Sequence, residues 1–165
     1  MKKQKGFSLI ELLIVVAIIL IIAAIAIPNL LRSKMAANEA SAVGSIRTIT
    51  TAQVAYSSTY GVGYTNLINL ATPAAGCATA TAGTACLLDS NLAGGTKSGY
   101  TFVSLSNVVG TTAVPAVAFN TSAVPQAPGQ SGQNSFCSDE SGVVRRDTLG
   151  AVQAACATSN LPPLQ

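Results

Sequence analysis

The chain has 165 residues, of which 49% are apolar and only 9% are charged, and its formal net charge is +3. Three lysines in the first five residues supply that net charge, and the remainder has six basic and six acidic side chains. The basic character therefore implies no nucleic-acid partner. The chain has no histidine, which excludes Ser-His and Cys-His nucleophile pairs. We expect a protein that is not an enzyme and has no cofactor.

An apolar run from Phe7 to Ile27 is interrupted only by Ser8 and Glu11. Its 21 residues would form a helix about 31 Å long, which matches the roughly 30 Å core of a bilayer. A carboxylate inside such a segment costs about 2.5–3.5 kcal/mol at mid-membrane and usually serves a function. Glu11 lies one helical turn after Phe7. Cleavage after Gly6 would create an ammonium at Phe7 for this carboxylate to meet.

Three simpler interpretations of this stretch compete with that one. A secretory signal would use the A-x-A-like residues 24–26, but its apolar region would exceed the usual 7–15 residues. A plain membrane anchor would leave Gly6 and Glu11 without a role. The spacing of Ser8 and Glu11 also fits a capping box, in which Glu11 caps the helix start. That third interpretation is compatible with a cleaved precursor.

A short basic leader ending in Gly6, then Phe7, then Glu11 in an apolar helix, closely resembles the class III signal of type IV pilins. The resemblance covers about the first sixty residues and includes Pro28, residues 38–42, Tyr56 and Tyr60. It implies that a prepilin peptidase cuts between Gly6 and Phe7 and that Phe7 is then N-methylated. It further implies that the apolar helices, with Glu11 and Pro28, stack in a filament core.

The predicted organisation begins with a leader, followed by one long helix and a head. The segments are 1–6 as leader, 7–30 as transmembrane or filament-core half-helix, 31–60 as amphipathic half-helix, and 61–165 as globular head. The head is divided into a connecting loop at 61–98, an antiparallel sheet at 99–147, and a disulfide-bounded C-terminal region at 137–156. The leader lysines favour a cytoplasmic N-terminus, which leaves the head in the periplasm.

The second half-helix is predicted from apolar residues at helical spacing, with Gln53 interrupting the stripe. Its apolar positions are Ala42, Ile46, Ile49, Tyr56 and Tyr60. Pro28 is expected to kink the helix, and a simple helix break is the alternative. Strands are expected at 100–105, 117–119, 134–137 and 143–146, the last two forming a hairpin. We therefore predict an α+β fold with about four strands on one helix, as in the pilin family.

Four cysteines follow the apolar run, and an even number in an exported head favours two disulfides. Three pairings are possible, and we favour the sequential one, Cys77–Cys86 and Cys137–Cys156, because it closes short loops. The second bridge would correspond to the C-terminal disulfide loop of the pilin family. The cysteine spacing fits no zinc site, so we expect no metal.

Three weaker signals have ordinary explanations. The carboxylates of Asp139, Glu140 and Asp147 could form a calcium loop, as in major pseudopilins, but turn formation is the simpler interpretation. The sequence 120–122 fits a glycosylation sequon. The tyrosines at 56, 60 and 64 are expected to pack between helix and sheet.

The resemblance implies the major structural subunit of a type IV pilus, which polymerises through its N-terminal helices into an extracellular filament. Its partners would be other copies of the chain, the prepilin peptidase, the assembly machinery of the inner membrane, and the membrane itself before assembly. The precursor would lie in the inner membrane. The alternatives are a pseudopilin of a type II secretion system and a membrane-anchored binding module that does not polymerise.

Overall fold

The computed structural model describes residues 7–73, 76–77, 79–106, 114–147 and 162–164. Within them the chain forms one long helix, a short second helix and a five-stranded sheet. The helices are α1 (Leu9–Tyr60) and α2 (Ser90–Ala93), with a 3-10 turn at Leu67–Leu70. The strands are β1 (Thr96–Lys97), β2 (Tyr100–Ser106), β3 (Phe119–Pro125), β4 (Ser135–Asp139) and β5 (Arg145–Asp147). The predicted α+β fold is confirmed.

The chain divides into two compact units, Met1–Lys34 and Met35–Gln165. Helix α1 begins in the first unit and continues in the second. Pro28 lies inside α1, so the alternative of a helix break is wrong. Its ring nitrogen cannot donate the hydrogen bond that an ordinary residue would make to the fourth carbonyl before it. The helix ends at Tyr60, where Gly61 takes a positive φ of 68° and donates to the Ser57 carbonyl, a common helix C-terminus.

The sheet is antiparallel throughout, and its strands lie in the order in which they occur in the chain. Strand β2 pairs along its whole length with β3, from Tyr100 opposite Pro125 to Ser106 opposite Phe119. Along β2 the burial alternates, because successive side chains point to opposite faces. Because each strand pairs with the next one along the chain, the topology requires no crossover connection.

The core of the second unit lies between the C-terminal half of α1 and one face of the sheet. From α1 it takes five buried apolar residues, Ala42, Ile46, Ile49, Ala52 and Tyr56. From the sheet it takes Tyr100, Phe102, Ala123 and Phe136. Leucines of the 3-10 turn and of α2 fill one end. The predicted amphipathic stripe therefore faces the sheet, as the spacing indicated.

Two parts of the head differ from the sequence-based expectation. Strand β3 begins at Phe119 and runs to Pro125, although the strand was predicted at 117–119. Its small polar residues resemble loop sequence, but in the structure two of them, Thr121 and Ser122, are buried. The segment 61–98, predicted as a loop, contains the 3-10 turn, α2 and β1. These elements are too short for a periodic pattern to reveal them.

Candidate functional site

The start of α1 contains a carboxylate with a defined partner. Glu11 accepts a hydrogen bond from the backbone N–H of Ser8, with 2.9 Å between the nitrogen and Oε2. Ser8 precedes the first helical residue and Glu11 is the third, which is the geometry of one half of a capping box. The carboxylate also lies near the positive end of the helix dipole. Glu11 therefore accepts a backbone donor one residue after Phe7, the predicted first residue of the mature chain.

The apolar surface around this carboxylate is uncovered within the described chain. A window of 18 residues in α1 has a mean hydropathy of 3.3, and none of it is buried. By length and composition it could cross a membrane. The large side chains that are exposed begin with Phe7, at 86%, and continue to Leu31, at 52%. A surface this large and apolar needs lipid or other apolar helices to cover it.

The predicted processing residues are described only in part. Gly6 lies outside the described residues, while Phe7 and Glu11 lie within them. In the uncleaved chain Phe7 has no free amine, and the Glu11 carboxylate is bonded to Ser8 instead. The structure thus places the carboxylate close in the chain to Phe7, the predicted first residue after cleavage, without testing its role.

The disulfide between Cys77 and Cys86 is present, with the two Cα atoms 6.0 Å apart, which confirms the first predicted bridge. The loop that it closes is tied to α1, because the Tyr56 hydroxyl donates to the carbonyl of Ala82 at 2.8 Å. Cys137 is buried in β4. Its predicted partner, Cys156, lies outside the described residues, so the second bridge stays a prediction.

A second carboxylate of α1 holds a loop of the head. Glu39 accepts hydrogen bonds from the backbone N–H groups of Gln133 and Asn134, at 2.8 and 3.1 Å, and from the Asn134 side chain at 2.9 Å. The neighbouring Asn38 donates to the carbonyl of Ser131 at 2.8 Å. These bonds fix the β3–β4 loop to the helix. The resemblance drew attention to residues 38–42 but gave no role for Asn38 and Glu39, because their partners are over ninety residues away.

The same loop encloses Tyr100. Its hydroxyl donates to the carbonyl of Asn134 at 2.9 Å, and burial, together with the nearby charge of Glu39, raises the pKa of Tyr100. A Cβ at Gly132 would lie 2.0 Å from this hydroxyl, so only glycine lets the loop approach the ring. The pKa shift is structural in origin, because the group is buried and hydrogen-bonded rather than open to a substrate.

Gln53 is the clearest departure from the predicted stripe. It was expected to interrupt the apolar face, but it is fully buried. Its Nε2 donates to the Thr65 carbonyl and to Ser104 Oγ, and its Oε1 accepts from the Thr65 N–H. Buried polar groups normally have such partners. The position of a lone polar residue in an apolar stripe was the signal that could have predicted this role.

The carboxylates proposed for a calcium loop have other surroundings. Asp139 accepts hydrogen bonds from the backbone N–H of Ser141, at 3.0 Å, and from its hydroxyl. Asp139 is buried and Glu140 is exposed. Among the residues that the structure describes, no group of three or more His, Cys, Asp or Glu side chains is arranged to hold a metal. The local geometry is that of a turn closed by an aspartate.

Comparison with known proteins finds a family match at the N-terminus and two relatives that match part of the chain. Residues 1–27 match the family described as the prokaryotic N-terminal methylation motif. The chain is 62% identical over 39 residues to the type IV wide pilus major component PilA4 of Thermus thermophilus, a match that covers 24% of this chain and 30% of that protein. It is 45% identical over 54 residues to the type IV major pilin protein PilA of Myxococcus xanthus, a match that covers 33% of this chain and 24% of that protein. The chain thus spans less than a third of either relative's length. No solved structure matches it.

Proposed function

We propose that the protein is the major structural subunit of a type IV pilus, from the premise that its N-terminal segment is similar to the prokaryotic N-terminal methylation motif and that the chain is similar in part to two type IV pilus components. Two relatives bear the names of major pilus components. The observation that carries the proposal is a single carboxylate, Glu11, at the head of a helix whose N-terminal half leaves its apolar surface uncovered within the described chain. Such a surface requires either lipid or a bundle of like helices.

The proposed maturation begins with hydrolysis of the peptide bond between Gly6 and Phe7 by a prepilin peptidase. The products are the leader, with a new carboxylate at Gly6, and a mature chain with a new amine at Phe7. Methylation of this amine leaves it basic, so it still carries a positive charge at neutral pH. Before this step the leader lysines would hold the N-terminus in the cytoplasm and the head in the periplasm.

Assembly then moves the helix from lipid into a filament core. An isolated charge in an apolar environment is heavily penalised, and two charges are tolerated when they pair. We propose that Glu11 pairs with the Phe7 ammonium of its own chain or of a neighbour. An unpaired Glu11 would disfavour a wrong axial position, so the pair would set the step of each added subunit. The assembly machinery of the inner membrane would drive this transfer, and Pro28 would give the helix local freedom to adjust.

Two substitutions at Glu11 separate this role from simple capping. Glu11→Ala removes both the cap and the charge, whereas Glu11→Gln keeps an acceptor for the Ser8 N–H, since glutamine also serves in a capping box. If the charge pairs with the new terminus, both variants are inserted and cleaved but yield about tenfold fewer fibres, the effect of roughly 1.4 kcal/mol. The measurement is the amount of the chain in the sheared, sedimentable fraction, with electron microscopy of that fraction.

A control variant, Ser8→Ala, keeps the backbone N–H that Glu11 accepts and should form fibres normally. Normal fibre yield from Glu11→Gln would show that only the cap matters and would remove the proposed pairing. Absence of sedimentable fibres from the unaltered chain would favour a membrane-anchored module that does not polymerise.

A further inference from the structure

The charges of the mature chain can be followed one by one, because all twelve charged side chains after the leader lie in the described residues. Five of the six carboxylates have partners within the chain. Glu11 and Glu39 accept the hydrogen bonds given above, Asp89 pairs with Lys97 at 3.6 Å, Asp139 accepts from Ser141, and Asp147 is buried with a partner of its own. Within the described chain, Glu140 is left as the one carboxylate without a partner.

Glu140 lies at the turn between β4 and β5. Hydrogen bonds to Asp139 hold the backbone of the turn. The Asp139 carboxylate accepts from the N–H of Ser141, and the Asp139 backbone carbonyl accepts from the N–H of Gly142 at 3.0 Å. Glu140 itself is exposed, and so is the nearby Val143, at 38%. We call the exposed residues 140–143 the hairpin tip. It presents one negative charge and one apolar side chain on a backbone that is already ordered.

A matching surface lies on the solvent side of α1. A groove of about 380 Å³ is lined by Arg47, Thr48, Thr51, Ala52, Ala55 and Leu87. The hydroxyls of Thr48 and Thr51 donate to the carbonyls of Gly44 and Arg47, each at 3.0 Å, so the threonines add mainly their methyl groups to the lining. Leu87 is 38% exposed. Arg47 is exposed and has no ion-pair partner among the described residues.

We propose that the hairpin tip of one copy docks into this groove on a neighbouring copy. Glu140 would pair with Arg47, and Val143 would cover Leu87 and Ala55. The proposal rests on the proposed function, since it assigns a head-to-head contact within the same polymer. Its basis is charge complementarity between the two surfaces. On the tip, the unpaired carboxylate of Glu140 lies close in the chain to the exposed Val143. On the groove, the guanidinium of Arg47, which has no ion-pair partner among the described residues, adjoins an apolar lining. Complementary charges of this kind mainly fix specificity and the orientation of docking.

The other exposed arginine of the head, Arg146, fits this role less well. It lies in β5, three residues after the end of the hairpin tip. Pairing of Glu140 with Arg146 would set the same hairpin of two copies against each other, and such two-fold contacts close into dimers. Pairing with Arg47 uses two different surfaces, so a pair of copies still has one free groove and one free tip to which further copies can add. Contacts of this type generate open helical fibres.

Charge reversal tests the pair in the full-length chain expressed in cells. Arg47→Glu and Glu140→Arg should each lower the yield of sheared fibres about tenfold, because like charges then face each other. The double variant restores opposite charges between neighbours and should regain most of the yield. Arg146→Glu is the matched control, with the same charge change on another exposed arginine, and should leave the yield unchanged.

Cross-linking tests the direction of the contact. A chain with both Arg47→Cys and Glu140→Cys should give a ladder of covalent oligomers on a non-reducing gel of sheared fibres. Either single cysteine should give none. The pair Arg146→Cys with Glu140→Cys should also give no ladder.

Three results would overturn the proposal: unchanged yield in both single charge reversals, a double variant no better than the single ones, or fibres of the Arg47→Cys/Glu140→Cys chain without a ladder. Its failure remains distinct from failure of the proposed function. If only the docking proposal fails, the unaltered chain still forms fibres, and their yield does not depend on this pair. If the proposed function fails, the unaltered chain forms no fibres at all.

Discussion

At the scale of single residues, the polar side chains inside the head decide how α1 meets the sheet. Gln53 sits in the middle of the apolar stripe and connects α1 to Thr65 and to Ser104 of β2. Ser104 in turn accepts a hydrogen bond from Thr121 of β3 at 2.8 Å. The amide therefore ties one helix, one loop and two strands together. Its cost of burial is offset only because both ends of the amide are satisfied.

Replacing this amide tests its contribution. Gln53→Leu has a similar size but leaves the Thr65 N–H and carbonyl without their partner. We expect the free energy of unfolding to fall by about 2–4 kcal/mol, since each unsatisfied buried group costs roughly 1–3 kcal/mol. The measurement is denaturant unfolding of the full-length protein in detergent.

Thr48→Ala provides the comparison, because it removes an exposed hydroxyl on the same helix and should change stability by at most about 0.5 kcal/mol. Equal stability of Gln53→Leu and the unaltered protein would contradict the role given to the amide.

At the scale of elements, short segments depend on local side chains more than long ones do. Helix α2 has only four residues, and Asp89 precedes it as N-cap, accepting from the Leu92 N–H at 2.9 Å. That hydrogen bond first, and then the charge of Lys97, hold the pKa of Asp89 below 3.8, while partial desolvation opposes them. A helix this short is not stable in isolation, and here the cap acts together with the burial of Leu92 and Ala93.

The lowered pKa gives a prediction about pH. The unfolded chain binds a proton at Asp89 more readily than the folded protein, so this carboxylate adds stability above about pH 4. That contribution is lost as the pH falls from about 4 through the lower pKa of the folded state. Asp89→Asn should therefore be less stable than the unaltered protein at pH 7, and the difference should disappear near pH 2.

Urea unfolding at the two pH values measures the effect. Glu140→Gln is the matched control, because it removes an exposed carboxylate that has no partner among the described residues. Its stability relative to the unaltered protein should be the same at pH 7 and at pH 2. A stability difference for Asp89→Asn that is the same at pH 7 and pH 2 would exclude the charge as its cause.

At the scale of the whole molecule, two units have different requirements. The unit Met35–Gln165 has its own core, whereas the apolar residues of Met1–Lys34 have no cover within the described chain. The second unit is also held by long-range polar contacts, such as those of Glu39 to the β3–β4 loop. Whether the molecule is in the membrane or in a fibre therefore depends on what covers its first unit. In our proposal lipid covers it before assembly, and the corresponding helices of other copies cover it afterwards.

Blocking the proposed cleavage should hold the molecule in the first of these states. Gly6→Glu places a charged side chain at the cleaved bond, and we expect the precursor to accumulate in the membrane without any fibres. A gel of the membrane fraction would show an unshifted band, and N-terminal sequencing would begin at Met1.

Lys5→Gln, in the same leader, should still be processed. Both variants should form the Cys77–Cys86 bridge, which shows that the head has been exported and folded. A Gly6→Glu protein that begins at Phe7 would contradict the proposed maturation.

The sequence by itself determined the long helix, its two chemically different halves and the α+β class. These follow from features that are local in the chain: an apolar run interrupted only near its start, an apolar stripe at helical spacing, and alternating strand residues. It also predicted the Cys77–Cys86 bridge, since only nine positions separate the two cysteines. The position of Glu11 at the head of α1 was readable for the same reason.

Only the tertiary structure decided the start of β3, the role of Gln53 and the partners of Glu39. Each depends on residues far away in the chain, and no local pattern encodes those distances. Thr121 and Ser122 resemble loop residues until two neighbouring strands bury them. In the sequence, Gln53 only interrupts an apolar stripe. In the folded protein its buried amide is bonded to Thr65 and Ser104, and these partners come together only when the chain folds.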